Sequence, residues 1–145
     1  MNQVEPSSQY VTFLIDDLFF GIDVLDVQEV LRYQPMTRVP LAPDAIEGLI
    51  NLRGQIVTAV DMRRRLKLSP RAAGTMPINA VIRTAEGPVS LLVDEIADVV
   101  EVEACDFELT PANVNPAARE LMHGIYKLKD RLLLILDTKK TVDLA

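Results

Sequence analysis

GLINLRGQIVTAVDMRRRL, residues 48–66, sets an Arg-Gly pair between two apolar runs, and GIYKLKDRLLLILDTKKTV, residues 124–142, repeats the pattern. Sliding the chain by 76 residues lays Gly48 on Gly124, Leu52 on Leu128, Arg53 on Lys129 and Asp61 on Asp137. Both stretches read as β-hairpins, because each joins two aliphatic, β-branched runs through a short polar turn. A weaker match, at an offset of 71 or 72, lays GIDVLDVQEV on LVDEIADVVEV and pairs Asp23 with Asp94 and Val27 with Val99. The repeat predicts one unit of roughly 65–75 residues used twice. A chain of about 60 residues buries only about 60% of its unfolded surface, so two such units are expected to share apolar contacts.

Elsewhere the dominant period is two. YVTFLI, INAVIRT, PVSLLVD and RLLLILD are short runs bounded by Gly, Pro, Asp or Asn, and they read as strands. Their brevity and spacing predict an all-β chain built from two small barrels, about 10–70 and about 76–140, with strands open to exchange at the boundary. Short helices are expected at 61–67 and 138–144. Residues 25–32, LDVQEVLR, fit a helical turn through Val27, Val30 and Leu31 and a strand face through Leu25, Val27 and Glu29; the reading adopted is a turn leading into a strand. LSPRAAGTMP (68–77) and LTPANVNPAA (109–118) read as connections, and EGPVS (86–90) as a strand-linking turn. Residues 1–9 form a polar leader expected to be mobile, and 141–145 are the C-terminal end.

Composition narrows the function. The chain has 145 residues, is 49% hydrophobic and carries a formal charge of −6, which argues against a duplex nucleic-acid binder, since displacing counterions from phosphate needs a basic face. No apolar run approaches the ~18 residues that span a bilayer, and the N-terminus lacks the order of a signal peptide, so a cytoplasmic protein is expected. Cys105, the single cysteine, reads as a small hydrophobe in a reducing compartment. Seven acids and no base lie between Asp94 and Glu108, which reads as a solvated face or as a docking surface for a basic partner. Arg63, Arg64, Arg65 and Lys67 read as the water-facing side of a short helix.

Catalytic readings fail residue by residue. Asp61 and Asp137 each close a hydrophobic strand and invite comparison with paired aspartic-protease carboxylates, but Asp61-Met62-Arg63 and Asp137-Thr138-Lys139 lack the glycine that such a site needs. An Asp at a strand end before basic residues is more naturally a helix N-cap. His123 is the only histidine, no glycine-rich phosphate cradle exists, and neither Ser69 nor Ser90 has a candidate base beside it in sequence. A binding or scaffold role without a cofactor is therefore favoured.

Four blocks then acquire a common reading. YVTFLIDDLFFGIDVLDVQEVLRY, VPLAPDAIEGLINLRGQIVTAVDMRRRL, LLVDEIADVVEV and GIYKLKDRLLLILDTKK, in that order, resemble the CheW family of chemosensory adaptors from about Tyr10 to Lys140, with EGLINLRGQIV the most specific block. Thr58 departs from the family's usual proline; the threonine keeps a strand N–H that proline would remove.

The resemblance implies two five-stranded SH3-like barrels related by pseudo-two-fold symmetry, and no catalytic activity. It implies partners as well: the cytoplasmic tips of methyl-accepting chemoreceptors, the regulatory domain of the histidine kinase CheA, and further copies packed in rings within membrane receptor arrays. By motif, the receptor groove takes Val24, Val27, Val30, Ile96 and Val99 as its apolar positions and Glu29, Gly48 and Arg53 as its polar ones. Gly54 supplies the positive φ of the turn, and Arg53 is expected to reach a carboxylate such as Glu29. Lys129, in the repeat, is a point charge without bidentate geometry. Two other readings stay open: a CheW-type module of a CheV or CheA protein, against which Met1, the leader and the early end of the chain suggest a whole small protein, and a barrel binding a small ligand in the seam between its halves.

Overall fold

The computed structural model describes residues 9–103, 106–109 and 114–144. The leader through residue 8 and Cys105 lie outside the described residues. Two sheets make up the fold. The first half of the chain supplies β1 (Gln9–Ile15), β2 (Leu18–Asp23), β3 (Val27–Leu31), β4 (Ile46–Leu52) and β5 (Gln55–Asp61), followed by helix α1 (Met62–Arg65). The second half supplies β6 (Ile78–Thr84), β7 (Gly87–Val93), β8 (Glu95–Glu101), β9 (Phe107–Glu108), α2 (Pro116–Arg119), β10 (Met122–Lys127), β11 (Leu132–Leu136) and α3 (Thr138–Val142).

Both expected short helices form where their caps dictate. Asp61 accepts from the Arg63 N–H at 2.9 Å and Asp137 from the Lys140 N–H at 3.1 Å, so the two strand-end aspartates are N-caps. Residues 24–26 make one 3-10 turn, N-capped by Asp23, before β3 begins. Two expectations need correction. The turn in EGPVS is made by Ala85 and Glu86, while Gly87 already opens β7 and Pro88 lies on the strand opposite Arg83. Within 109–118, Asn115 caps α2 through the N–H groups of Ala117 and Ala118, with Pro116 in the first turn where its missing N–H is harmless; this Asn-Pro signal was legible. Residues 110–113 lie outside the described residues.

The sheet orders are β8-β1-β2-β11-β10-β9 and β3-β6-β7-β5-β4. Five strands correspond position by position, β8-β1-β2-β11-β10 with β3-β6-β7-β5-β4, and β9 adds a sixth to the first sheet where the second has only the isolated bridge of Thr37 to Leu49, so one barrel exceeds the five strands expected. In β4–β5, Ile46 pairs with Val60 and Gly48 with Ala59 across a bulge; in β10–β11, Met122 pairs with Leu136 and Gly124 with Ile135 across the same bulge, 76 residues on. The parallel pairing of Thr58 with Val89 returns as that of Leu134 with Phe20. Asp61 N–H donates to Ala45 and Asp137 N–H to Leu121, both at 2.7 Å. These matches relate two SH3-like barrels by an approximate two-fold.

The sheets divide the chain elsewhere than the repeat does. Hairpin β1–β2 sits among the strands of the second half, and β6–β7 among those of the first, so each repeat lends its leading hairpin to the other. A division at residues 70–76 therefore separates the repeats but not the sheets. Burial explains the exchange. Phe13, Ile15, Phe20 and Ile22 of one hairpin and Ala80, Ile82, Leu91 and Val93 of the other enter one shared core cluster, which neither unit has the size to build alone. Smaller clusters fill the barrels themselves: Tyr10, Phe19, Tyr126 and Leu133 in one, Ile50, Leu52, Val57 and Val81 in the other.

Gly48 and Gly124 carry the repeat's sharpest steric demand. A Cβ on Gly48 would stand 2.7 Å from the Thr37 carbonyl oxygen, and one on Gly124 would stand 2.7 Å from that of Glu108, because at both places a neighbouring segment closes on the bulged strand. Gly48→Ala and Gly124→Ala are each expected to destabilise by about 1–3 kcal/mol, as overpacking does, while the open glycine Gly74 tolerates change with respect to space. Thermal melting checks this; two alanine variants that melt like wild type would refute it.

Candidate functional site

β3 forms one edge of its sheet and the β4–β5 hairpin the other. Arg53 and Gly54 make a two-residue turn with φ of 52° and 88°, both left-handed, and Leu52 pairs with Gln55 across it. Such a turn matches the right-handed twist of the strands and aims Arg53 outward. Asn51 Oδ1 accepts from the Gly54 N–H at 2.9 Å and steadies the loop. From that tip Arg53 Nη2 donates to the Glu29 carboxylate on β3. The pair thus ties β3 to the β4–β5 turn, which is not its ladder neighbour.

The predicted apolar positions fall on three neighbouring features. Val24 opens the 3-10 turn, which packs against both β1 and β6 and so lies between the two sheets. Val27 and Ile96, on β3 and β8, both pack against the shared core cluster. Val30 and Val99, on the same two edge strands, turn outward at 40% and 55% exposure. Gly48 is buried on β4 beneath Thr37, so its place is explained by close packing. Thr58 lies within β5, opposite Leu49 on one side and Val89 on the other.

The basic run after β5 faces water only in part: Arg64 and Lys67 are exposed as expected, whereas Arg63 and Arg65 turn into contacts. Arg63 is 14% exposed, and its guanidinium grips Asp94 through Nε at 3.0 Å and Nη2 at 2.7 Å. Arg71 joins it, with Nε 3.3 Å from the same carboxylate, and the backbone N–H of Asp16 donates to Asp94 at 2.7 Å. Arg65 donates to the carbonyls of Lys140 and Thr141 in the last turn of α3 and of Asp143 at its C-cap. Arg64, though exposed, pairs with Glu47 at 3.0 Å, and Lys67 stays an exposed charge. These arginines link α1 to both sheets; spacing along the chain held no signal for it, since the partners lie up to 78 residues away. Asp94 likewise leaves the acidic stretch for the interior, while Glu95, Asp98, Glu101 and Glu103 stay exposed. Burial pushes its carboxyl up, but hydrogen bonds from Arg63 and the Asp16 N–H and the charges of Arg63 and Arg71 outweigh this and hold it below the usual range.

Comparison with known proteins agrees with this geometry. A family model described as CheW-like domain matches residues 9–145. The chain is 30% identical over 132 residues to the chemotaxis protein CheW of Klebsiella aerogenes, covering 91% of this chain and 80% of that one. It is 28% identical over 141 residues to CheW of Bacillus subtilis, covering 97% and 90%. Its fold matches the crystal structure of the scaffolding protein TtCheW from Thermoanaerobacter tengcongensis with a TM-score of 0.80 at 26% identity, over 90% of this chain and 89% of that one. Fold and family together define a non-catalytic scaffold of paired SH3-like barrels. The chain belongs to the CheW family, and its relatives are chemotaxis proteins.

Proposed function

We propose that this protein couples methyl-accepting chemoreceptors to the histidine kinase CheA. The receptor's helical tip lies against the exposed edges of β3 and β8, with Val30 and Val99 as apolar contacts, Val24, Val27 and Ile96 beneath them and the Glu29–Arg53 pair at the border. The CheA regulatory domain and further copies of the chain pack beside the barrels in rings on the cytoplasmic face of the membrane. The observation that carries this reading is the Glu29–Arg53 pair: the arginine of the family's most specific block, at the tip of the β4–β5 turn, reaches Glu29 on β3, the strand that bears Val27 and Val30. Among the described residues no helix is long and apolar enough to cross a membrane.

The test reconstitutes receptor vesicles with the cognate kinase and ATP. Attractant is expected to lower kinase phosphorylation only when the protein is present, and the protein is expected to sediment with the vesicles. Equal attractant control without the protein would overturn the reading.

A further inference from the structure

β3 is a short edge strand whose one ladder neighbour is β6, and a bulge between Val27 and Glu29 interrupts even that ladder. Its counterpart β8 has seven residues against five and pairs with β1 from Gln9 to Leu14. A five-residue edge strand with a bulge frays readily, because the carbonyls that the bulge turns out of register lose their partners.

Side chains of β6 take up carbonyls at both ends of β3, one of them beside the bulge. At the start, Arg83 Nη1 donates to the Val27 carbonyl at 2.7 Å and to the Leu25 carbonyl at 3.2 Å, spanning the step from the 3-10 turn into the strand. At the end, the buried Asn79 donates through Nδ2 to the Arg32 carbonyl at 3.1 Å, while its Oδ1 accepts from the buried Ser90 hydroxyl at 2.7 Å. The bond to the Arg32 carbonyl, which can only accept, fixes which way the amide points, and the Ser90 hydroxyl then donates to the oxygen left over. The other barrel uses a similar device at its own bulge, where the Thr12 hydroxyl donates to the Asp98 carbonyl of β8. Between the two pins on β3 lie Glu29, held by Arg53, and Val30.

We infer that Arg83 is a positioning residue for receptor recognition, acting through β3: its charge-assisted bonds keep the strand in the register that presents Glu29 and Val30 together. The role rests on the groove reading above. Arg83 suits it because the pin is separable from the fold. Its residue is exposed, at the rim of a cleft of about 550 Å³ beside Asp26 and Lys139, and its bonds are to carbonyls rather than to core side chains. Hydrogen bonds with an ionised donor are roughly twice as strong as neutral ones, so this single side chain outweighs a lost ladder bond.

The full-length protein is compared with Arg83→Met, which keeps a long apolar stem, and Arg83→Lys, which keeps a cation with several donors. Backbone hydrogen exchange over 25–32, co-sedimentation with receptor vesicles and thermal melting are read together. Arg83→Met is expected to speed exchange in β3 about tenfold and to weaken receptor binding by a similar factor, with melting within a few degrees of wild type, and Arg83→Lys to restore most of both. Unchanged exchange in Arg83→Met overturns the inference. So does faster exchange with unchanged binding, if Arg53→Ala weakens binding in the same assay. If neither variant moves binding, the groove reading itself falls, and the exchange data still report whether Arg83 pins the strand.

Discussion

Arg53→Ala is expected to weaken binding to the receptor tip roughly thirtyfold, the effect of losing about 2 kcal/mol at an interface arginine. Stability should hardly move, because the pair is exposed on the arginine side, at 69%, and exposed ion pairs contribute only ~0.2–1 kcal/mol. One complication is the turn: Arg53 holds a left-handed φ of 52°, a strain that alanine keeps while removing the charge. Arg53→Asn separates the two effects, since asparagine before glycine is favoured in this kind of turn. It should melt at or above the wild-type temperature and still bind as poorly as Arg53→Ala. Glu29→Ala should lose a comparable factor, and Glu29→Ala with Arg53→Asn should be no worse than the worse single change, because the two side chains act as one unit. Wild-type binding by Arg53→Asn would show that Arg53 is only a wet turn residue.

The hairpins, their tight turn and the two aspartate caps were legible because each is local: period-two runs, Arg-Gly between them, and Asp before a short helix all lie within a few residues. The repeat made two barrels legible as well, since Gly48 and Gly124 mark the same bulge in both copies. Which hairpin completes which barrel was not legible. Phe13 and Ile15 fit the core of either repeat equally well by pattern, and only the merged cluster that both hairpins enter decides the matter. Of the candidate site, the Glu29–Arg53 pair was readable because the motif and a plausible carboxylate could be matched in advance. Arg83 was not: an arginine in INAVIRT looks like an ordinary outward strand residue until the Leu25 and Val27 carbonyls are seen beneath it.

The largest stability effect is expected at Asp94, the one residue between β7 and β8, where the chain leaves one sheet for the other. Its carboxylate answers Arg63 and Arg71, whose side chains are each only 14% exposed, and its own N–H donates to the Leu14 carbonyl at 3.0 Å. Asp94→Asn keeps the shape but leaves two poorly solvated guanidinium groups with only the more distant carboxylates of Asp16 and Asp61, each at 3.7 Å. Breaking a buried pair on one side costs about 3–5 kcal/mol. For a domain of this size that is a fall of roughly 10–15 °C in melting temperature, whereas Glu95→Ala, exposed next door, should shift it by a degree or two. The pH dependence follows from the sign of the shift. Asp94 is held below its ordinary 3.8 in the folded state, so the stability it contributes is complete above that value and is lost as pH falls through the lower folded value. Asp26 has the opposite sign: burial first, then the charge of Asp23, raises its carboxyl, so its contribution favours the fold at low pH and is lost as pH rises through the raised value. Asp26 is present in both proteins, so the melting difference between wild type and Asp94→Asn isolates Asp94. That difference should stay constant from neutral pH down to about 5 and shrink below about 4. A difference under about 2 °C at neutral pH, or one that does not shrink on acidification, would mean that the arginines find other partners and that the crossing between the sheets is held by the shared apolar core alone.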